Sequence, residues 1–579
     1  MYVEFLPSKI KSHADCVLLR EGNWENGKCV KKTIANISDW DRNQIEALRL
    51  VLKGNTSVGT SSFKIIRSLP HGAVLAVLGI MNRLGFPGIL ASKPSGMRSV
   101  LMGLIVERLL SPGSKITAFE ELRPSTATST LHEELGLETI TSHHVYEAMD
   151  FLFKHKGAIE KRLAKKHLSQ KCLVLYDLTS VYFEGVTCPL TFLGHSKDKK
   201  GSLQIMVGLL TNKDGIPIST EVFEGNILDH QTLMFQINKI RKKFGVTDVI
   251  MVGDRGTIIQ KRIKDMKKIE DLSFITALGS RSIKALVKNE TMPLSLFDQT
   301  DLAEITSPLY PGERLVCCKN PYLAQERTQT RESLLSATEK ELEPIVKAVT
   351  RKRAPLKDKG KIGIRVGKII NKYKVAKHFI LNIAEGKFFY SRNAASITQE
   401  ALLDGVYIIR TGVNKDTADT AKTVSIYKGL STVERAFRCM KTTDLHIRPV
   451  NHHLPERVKS HVFLCMLAYY VEYHMRQALS PIIFQDEEEE KEKARKQRVS
   501  IVAKAERSEN ALYKIATRRS PDGYPIQSFQ KILDDLGTLT RNTIAPKENP
   551  KLSFKQLAEA TPLQKKAFSL LQIKLQSSQ

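Results

Sequence analysis

The apolar residues of the chain recur at two different spacings, which separate a helical N-terminal region from the rest. From residue 71 to about residue 168 they recur every three or four positions, as on one face of a helix. Before that, residues 17–20 and 29–32 flank a turn rich in Gly and Asn, which predicts a hairpin. The predicted helices cover residues 41–52, 71–84, 97–110 and 142–168. Residues 1–168 are therefore expected to form a mostly helical domain.

After these helices the pattern changes to short, continuous apolar runs separated by turns, as in buried strands. Two of the runs, residues 203–211 and 216–223, flank Asp214-Gly215 and predict a hairpin. Up to residue 280 the predicted order is three strands, a helix, a strand, a helix and a strand. Three antiparallel strands followed by alternating helices and strands are the order of a ribonuclease-H-like core. The predicted fold class is therefore multidomain α/β.

Two of the predicted strands end in an aspartate. One is the run Lys171-Cys-Leu-Val-Leu-Tyr-Asp177, and the other is Val249-Ile-Met-Val-Gly-Asp254. In open α/β sheets the carboxyl ends of the strands carry the side chains of functional sites. A single Asp after a strand is usually a turn or cap residue, so neither is informative alone. Together with a third carboxylate on a neighbouring helix, the two aspartates form a specific pattern.

The third carboxylate is Glu434, in a stretch that runs from Tyr427 to Lys441. In one continuous helix, residues four and seven positions away share its face. These residues are Tyr427, Arg438 and Lys441. Taken alone, the pattern is typical of an amphipathic surface helix whose Glu forms a salt bridge. With the two aspartates it indicates three converging carboxylates, the ligands that bind two divalent cations for phosphodiester hydrolysis and transfer.

The spacing of the three carboxylates predicts an insertion in the core. Asp177 and Asp254 are 77 residues apart, but 180 residues separate Asp254 from Glu434, too many for a simple connection. The insertion is assigned to residues 281–404, and residues 406–410 return the chain to the core as a strand. The segments predicted within it are a polar helix over 326–351, a basic tract over 351–361, and strand-like runs over 362–370, 378–383 and 387–390.

Four further motifs accompany the Glu434 helix. They are Tyr-Asp177-Leu-Thr-Ser, Gly225-Asn226, Val-Gly-Asp254-Arg-Gly and Asp404-Gly-Val-Tyr-Ile-Ile-Arg410-Thr-Gly. Together the motifs resemble those of DDE transposases of the insertion-sequence-four superfamily, most closely its sixteen-thirty-four group. The superfamily signature on the third-carboxylate helix is Tyr, two residues, Arg, three residues, Glu, six residues, Lys. This chain has Leu430 where the Arg is expected, which puts one phosphate contact in doubt but not the carboxylates.

The resemblance implies a catalytic and metal-binding role for Asp177, Asp254 and Glu434. It implies two Mg²⁺ ions as cofactors, with Mn²⁺ as a substitute, since the ligands are hard carboxylate oxygens. It also implies that the insertion is largely β and helps to hold the DNA end. The residues expected to bind DNA phosphates are Tyr427, Arg438 and Lys441. Further DNA contacts are expected from Arg255 and from Lys197, Lys199 and Lys200, in a charged loop whose other interpretation is a solvated turn.

On this basis the sequence predicts a transposase that binds terminal inverted repeats in double-stranded DNA and catalyses strand cleavage and transfer. One alternative is a structure-specific nuclease of the same fold, against which the long insertion and large flanking domains argue. The other is a catalytically inactive DNA-binding descendant, against which the intact set of three carboxylates argues. Because joining two ends requires two active sites, a homodimer is expected on DNA.

The composition is consistent with a nucleic-acid partner. The 579 residues contain 89 Lys and Arg against 61 acidic residues, a net charge of +28. No apolar run approaches the roughly 18 residues that a membrane span needs, and the N-terminus lacks the pattern of a secretion signal. We therefore expect a cytoplasmic, nucleoid-associated protein of a prokaryote that binds no membrane. The eight cysteines include no Cys-x-x-Cys pair, which argues against a zinc knuckle.

The sequence predicts four regions. They are a mostly helical N-terminal region that binds DNA ends, a ribonuclease-H-like core in two segments, a β-rich insertion, and a charged helical C-terminal tail for dimerisation or DNA contact. Their boundaries are 1–168, 169–280 with 405–478, 281–404, and 479–579. Five consecutive acidic residues, 486–490, separate the core from the tail.

Overall fold

The computed structural model describes residues 1–6, 16–25, 28–53, 63–194, 201–298, 300–485, 487, 502, 507–547 and 552–575. The chain divides into two compact units. The first unit combines the two ends of the chain, Met1–Ala76 and Asp534–Gln579, with Thr128–Thr130. The second unit holds Val77–Ala127 and Leu131–Leu533, and therefore contains the whole predicted core.

The first unit begins with a small antiparallel sheet. Its elements are β1 (Tyr2–Leu6), β2 (Cys16–Glu25), β3 (Lys28–Asn36), α1 (Arg42–Leu52) and β4 (Phe63–Pro70). Strands β1, β2 and β3 pair in that order, and Val17, Ile37 and Ile45 form the core that α1 covers. The Asp41 side chain accepts a hydrogen bond from the Asn43 N–H, which satisfies an amide of the first helical turn. The predicted hairpin and helix are confirmed.

Six helices follow, most of them in the second unit. They are α2 (Gly72–Arg83), α3 (Phe86–Leu90), α4 (Gly96–Leu110), α5 (Lys115–Leu122), α6 (Leu131–Glu134) and α7 (Ser142–His167). The helices predicted over 71–84, 97–110 and 142–168 correspond to α2, α4 and α7 and are confirmed. Every residue of α4 from Val100 to Leu109 is buried, which explains why its sequence is apolar on all faces.

The central sheet and its first helices follow in the predicted order. The elements are β5 (Lys171–Tyr182), β6 (Phe192–Leu193), β7 (Leu203–Asn212), β8 (Pro217–Phe223), α8 (Asp229–Asn238), β9 (Asp248–Val252), α9 (Gln260–Met266) and β10 (Leu272–Ala277). Only the two-residue strand β6 was not predicted. Side chains from both layers, including Tyr176, Leu233, Met251 and Ile263, form one buried core.

Strand β5 lies between an antiparallel and a parallel half of this sheet. It pairs antiparallel with β7, to which β8 is added, and parallel with β9, to which β10 is added. The parallel pairing ends at Leu175 and Val252, but β5 continues to Tyr182 as a partner of β7. Asp177 therefore lies inside β5, and the prediction that it ends its strand is wrong. Strand β7 pairs with β5 beyond Leu175 and so extends it. The sequence around Asp177 gives no sign of this pairing, because β7 comes later in the chain.

The insertion contains more helix than strand. Its elements are α10 (Ser280–Lys288), β11 (Leu302–Ile305), β12 (Arg314–Lys319), α11 (Pro321–Thr350), α12 (Lys359–Ile370), β13 (Phe379–Ala384), β14 (Lys387–Arg392) and α13 (Ala394–Ala401). The prediction of a β-rich insertion is wrong, chiefly because residues 362–370 form a helix. Asp358 caps this helix by accepting from the Lys361 N–H, and Ile362 and Val366 face a core shared with α11. The polar helix and the strand-like runs over 378–383 and 387–390 are confirmed.

The chain then returns to the central sheet and forms the Glu434 helix. The elements are β15 (Val406–Thr411), α14 (Thr420–Lys428), α15 (Leu430–Arg438) and α16 (Pro455–Ala478). Strand β15 pairs antiparallel with both β10 and β12, as the predicted return strand requires. The prediction of one continuous helix over 427–441 is wrong. Helix α14 ends before Gly429, α15 follows it, and Cys439–Thr443 form a π-helical turn.

The C-terminal region begins in the second unit and passes into the first at Asp534. Its elements are α17 (Glu509–Thr517), α18 (Phe529–Gly537), β16 (Thr540–Pro546), β17 (Phe554–Leu557) and α19 (Pro562–Leu571). Strand β16 pairs antiparallel with β17 and with β4 from the N-terminal region. The prediction of a wholly helical tail is wrong, because the pairing partner lies too far away in the sequence to be seen in a local pattern. Among the described residues, no helix is both long and apolar enough to span a bilayer.

Candidate active site

Asp177 lies in β5, and Asp254 lies at the same level, two residues after the end of the neighbouring parallel strand β9. The register pairs Leu175 of β5 with Val252 of β9. Two residues further along each strand direction come Asp177 and Asp254, both half-buried. Adjacent strands are about 4.8 Å apart, so the two aspartates start from backbone positions that are close together. The structure therefore places both predicted aspartates at one edge of the β5–β9 pairing.

The turn after β9 holds the Asp254 side chain in one orientation. Its Oδ1 atom accepts hydrogen bonds from the Gly256 N–H at 3.0 Å and the Thr257 N–H at 2.8 Å. The Asp254 carbonyl accepts a third bond, from the Ile258 N–H. Two backbone amides thus fix the Asp254 carboxylate, and a third fixes its main chain. Arg255, the next residue, is exposed.

Helix α15 brings Glu434 to the face of β5 on which Asp177 lies. The apolar side of α15 is buried, whereas Glu434 is exposed. A Cβ atom on Gly429, immediately before α15, would lie 3.7 Å from Cδ1 of Leu175. Leu175 and Asp177 are two positions apart in a strand and therefore point to the same face. The helix thus packs over the strand that carries the first aspartate.

The Tyr427 side chain shows that the three carboxylates lie close together. Burial, followed by the negative charges of Asp254, Glu434 and Asp177, raises the pKa of its phenol to about 12, while Arg255 opposes the shift. The phenol is therefore within electrostatic range of all three carboxylates. We name Asp177, Asp254 and Glu434 the carboxylate edge. The structure brings this predicted set together around Tyr427.

The oxygens of the carboxylate edge are not drawn into a tight cluster. Among the described residues, one set of three ligating side chains has its ligand atoms within 4.8 Å of one another, and it is a different set. It consists of Cys439, Asp444 and Glu472, all buried, which are close enough to hold a metal ion. Arg476 binds two of them, with Nε 2.6 Å from Glu472 and a terminal nitrogen 3.0 Å from Asp444.

This buried cluster is largely neutralised by protons and by Arg476. Burial raises the pKa of Glu472 to about 7, with Arg476 opposing and Asp444 adding to the shift. Burial likewise raises the pKa of the Cys439 thiol to about 12. The Arg476 guanidinium and the raised pKa of Glu472 both reduce the negative charge of the cluster. The cluster therefore joins the π-helical turn after α15 to α16.

The residues predicted to bind DNA phosphates lie on three different segments. Tyr427 is in α14, Arg438 is the last residue of α15 and is exposed, and Lys441 is in the π-helical turn and is half-buried. A π-helical turn contains more residues than an α-helical turn, so Lys441 is rotated away from the face that the prediction gave it. Leu430 begins α15 and is half-buried.

Of the two further sites of predicted DNA contact, Arg255 and the loop of Lys197, Lys199 and Lys200, the structure describes Arg255. Arg255 lines a cavity of about 700 Å³ beside the carboxylate edge. The other cations of its wall come from α10, α11 and the segment after α12: Lys284, Arg327, Arg331, Lys374 and Lys377. Lys197, Lys199 and Lys200 lie outside the described residues, so the predicted role of their loop stays a prediction.

One carboxylate beside Asp254 was missed by sequence reasoning. A Cβ atom on Gly256 would lie 3.4 Å from Oδ1 of Asp254 and 3.6 Å from Oδ2 of Asp229. Asp229 is the first residue of α8, directly after the third strand of the sheet. The sequence contains a signal for this residue, because the Gly225-Asn226 motif of the resemblance lies just before this helix. An Asp in a first helical turn is so common, however, that it has an ordinary explanation.

Comparison with protein families gives one match. Residues 168–471, more than half of the chain, match the family described as transposase DDE domain. The matched segment contains the carboxylate edge, the insertion and α16 up to Val471. A comparison with curated protein sequences found no match.

Proposed function

The chain belongs to the family of DDE transposases, and from this premise we propose that it is a cut-and-paste transposase of an insertion sequence. It binds the terminal inverted repeats of its element in double-stranded DNA and catalyses strand cleavage and strand transfer. The observation that carries the proposal is the position of Asp177, Asp254 and Glu434 around Tyr427. Members of this family act on DNA with divalent metal ions, and three carboxylates suit such ions.

We further propose a ribonuclease-H-like core and membership in the sixteen-thirty-four group of the insertion-sequence-four superfamily. The strand order β8-β7-β5-β9-β10 supports the fold, since three antiparallel strands are followed by two parallel ones. The connections through α8 and α9 support it as well. The spacing of Tyr427, Glu434 and Lys441 supports the superfamily.

The carboxylate edge fits two Mg²⁺ ions, which Mn²⁺ would replace. Asp177, Asp254 and Glu434 supply hard oxygen ligands. All three raise the pKa of Tyr427, and a cation bound to them would offset their negative charge. Bound there, divalent ions lower the pKa of an attacking water or 3′-hydroxyl and stabilise the leaving oxygen. The Gly256 and Thr257 amides keep the Asp254 carboxylate aligned for this role.

Cationic and hydroxyl side chains around the edge bind the DNA strand. Arg438, Lys441 and Arg255 contact phosphates, and Arg438 compensates for the Arg that Leu430 replaces in the superfamily signature. Tyr427 acts as a hydrogen-bond donor, because a phenol with a pKa near 12 stays protonated at neutral pH. We assign the same phosphate-binding role to the loop that contains Lys197, Lys199 and Lys200.

The remaining regions extend the DNA contact. Residues 1–168 bind the transposon ends, residues 281–404 hold the DNA near the cleavage site, and residues 479–579 serve dimerisation or DNA contact. Support comes from the charge of the insertion, where residues 351–377 contain eleven Lys or Arg and a single acidic residue. A homodimer on paired ends and a nucleoid-associated protein in a prokaryotic cytoplasm follow from this activity.

The test uses the purified full-length chain and a DNA fragment that carries the ends flanking its coding sequence. With Mg²⁺ we expect cleavage at the ends and joining of the 3′ ends to a target plasmid, detected by sequencing the junctions. Cleavage without joining would instead indicate a stand-alone nuclease. Specific binding without cleavage in Mg²⁺ or Mn²⁺ would indicate an inactive DNA-binding descendant.

A further inference from the structure

The carboxylates of Asp229 and Asp254 both lie beside Gly256. A Cβ atom placed on Gly256 would lie 3.6 Å from Oδ2 of Asp229 and 3.4 Å from Oδ1 of Asp254. The two oxygens are therefore separated by no more than the sum of these distances, about 7 Å. Asp254 belongs to the carboxylate edge, so a fourth acidic group lies beside the three that the family implies.

The start of α8 does not need Asp229 as a cap. The Leu228 N–H, at the N-cap, donates to Oε1 of Gln231 at 3.0 Å, which satisfies that amide. An acidic residue in a first turn also interacts favourably with the helix dipole, but it does so equally well when it points to solvent. Asp229 is half-buried and lies beside Asp254, so its negative charge adds to the attraction of this part of the site for a cation.

Hydrogen bonds from two sides fix the first turn of α8. The Thr232 hydroxyl donates to the Asp229 carbonyl at 2.8 Å, and it accepts from the Tyr176 hydroxyl at 2.8 Å. Tyr176 precedes Asp177 in β5. From the other side, Nε of Arg262, in the helix after the Asp254 turn, donates to the His230 carbonyl at 2.8 Å. The turn that carries Asp229 is thus bonded to β5, which carries Asp177, and to the helix that follows the Asp254 turn.

We propose that Asp229 is a fourth carboxylate of the cation site, on the side of Asp254. The inference rests on the proposed function, because it assumes that divalent cations bind at the carboxylate edge. Asp229 offers an oxygen ligand to the cation or to a water bound to it, and it stays in place through the hydrogen bonds of the α8 turn. Asp229 and Asp254 would bind the same cation. The Asp254 carboxylate is held in place by the Gly256 and Thr257 amides.

The first experiment measures cation binding without DNA or turnover. The full-length protein is titrated with Mn²⁺, and free Mn²⁺ is followed by electron paramagnetic resonance. We expect Asp229→Asn to weaken binding about tenfold, the lower end of the effect of supporting groups at metal sites. Asp229→Glu, which keeps a carboxylate, should recover most of the loss. Glu224→Gln, an exposed acid of the preceding loop, is the matched control and should bind as the wild type does.

The second experiment uses the wild-type protein, so it does not depend on a variant that folds. Fe²⁺ with ascorbate and peroxide cuts the backbone near its binding site, and we expect cuts around residues 177, 254 and 226–230. Two outcomes would contradict the role of Asp229 but leave the proposed cation site standing. One is wild-type Mn²⁺ affinity in Asp229→Asn, and the other is cuts at 177 and 254 without cuts at 226–230. If Asp254→Asn also binds Mn²⁺ like the wild type, the proposed cation site itself fails.

Discussion

Two regions of the second unit contain the same kinds of charged residues but arrange them in opposite ways. The first is the buried ion network, which consists of Lys156 and Glu160 of α7, Glu221 of β8 and Lys239 after α8. Every acid in it contacts a cation: Lys239 lies 2.6 Å from Glu160, and Lys156 lies 2.9 Å from both Glu160 and Glu221. The second is the carboxylate edge, where acidic groups lie near one another.

Electrostatics follows the arrangement. Burial would raise the pKa of Glu221, but Lys156 and Lys239 outweigh it, so the pKa of Glu221 is held below its usual value. At the carboxylate edge the acids instead add their fields, which is visible in the raised pKa of Tyr427. Two acids with two cations form a satisfied structural unit. Acids that lie near one another raise the attraction of their surroundings for a cation, which is typical of a functional site.

The largest expected effect breaks the carboxylate edge. Asp177→Asn, Asp254→Asn and Glu434→Gln should each lower end cleavage in Mg²⁺ by at least about 10³-fold, the scale of removing one member of a catalytic unit. Affinity for the ends should stay near wild type in a gel-shift assay, since the isosteric changes remove negative charge from a DNA-facing site. Wild-type cleavage by any one of the three variants would contradict its assignment.

The next effect breaks the buried ion network. Glu160 is almost fully buried and binds Lys156, Lys239, the Ser219 hydroxyl and the Thr220 N–H. Glu160→Gln leaves two buried cations with one acid, so the free energy of unfolding should fall by about 3–5 kcal/mol. Urea denaturation followed by circular dichroism measures the change.

Glu147→Gln is the matched control for this substitution. Glu147 lies on the same helix, is partly exposed and pairs with the exposed His143, so its loss should cost no more than about 1 kcal/mol. Equal losses in the two variants would show that the network is not the structural unit described above. Cleavage per folded molecule should be unchanged in both.

The sequence predicted the carboxylate edge better than the ion network. Asp177 and Asp254 follow apolar runs, and an apolar run is a local signal of a buried strand. Glu160, Glu221 and Lys239 have no such signal, because their partners are distant in the sequence and meet only when α7 packs on β8. The pairing of β4 with β16 was unpredictable for the same reason.

Local patterns also failed where two structures share one pattern. Residues 362–370 have apolar side chains at positions that fit a strand or a helix, and the Asp358 cap and the packing against α11 select the helix. The break at Gly429 was missed because the hydrophobic spacing continues across it. Asp229 was missed because its position has an ordinary explanation as a first-turn acid.

A third arrangement, between the two extremes, sharpens the comparison. Glu472 and Asp444 share one cation, Arg476, so one proton must make up the difference. The pKa of Glu472 rises from 4.5 to about 7 on burial, so the folded chain binds more protons than the unfolded chain between these values. The contribution of Glu472 to stability therefore falls as the pH rises through this window.

Glu472→Gln, which imitates the protonated form, tests this assignment. At pH 5 the variant and the wild type should melt at similar temperatures. At pH 8 the variant should be more stable, by about 1–3 kcal/mol, the usual cost of a buried polar group that lacks its partner. A difference in Tm that does not change between pH 5 and pH 8 would show that Glu472 does not titrate in this range.

The smallest expected effect concerns Tyr427, the residue that reports on the carboxylate edge. Its phenol has a pKa near 12, so the hydroxyl is a donor at every assay pH and cannot act as a base. Tyr427→Phe removes one neutral hydrogen bond, worth about 0.5–1.5 kcal/mol, and should slow cleavage of bound ends by roughly twofold to tenfold. Because no proton is lost from the phenol between pH 7 and pH 9.5, the pH profile of cleavage should keep its shape. Tyr322→Phe, on an exposed Tyr of α11, should cleave like the wild type. A Tyr427→Phe profile that loses a basic limb would mean that the phenol ionises during the reaction, and its neighbours would then have to be cations rather than the three acids described here.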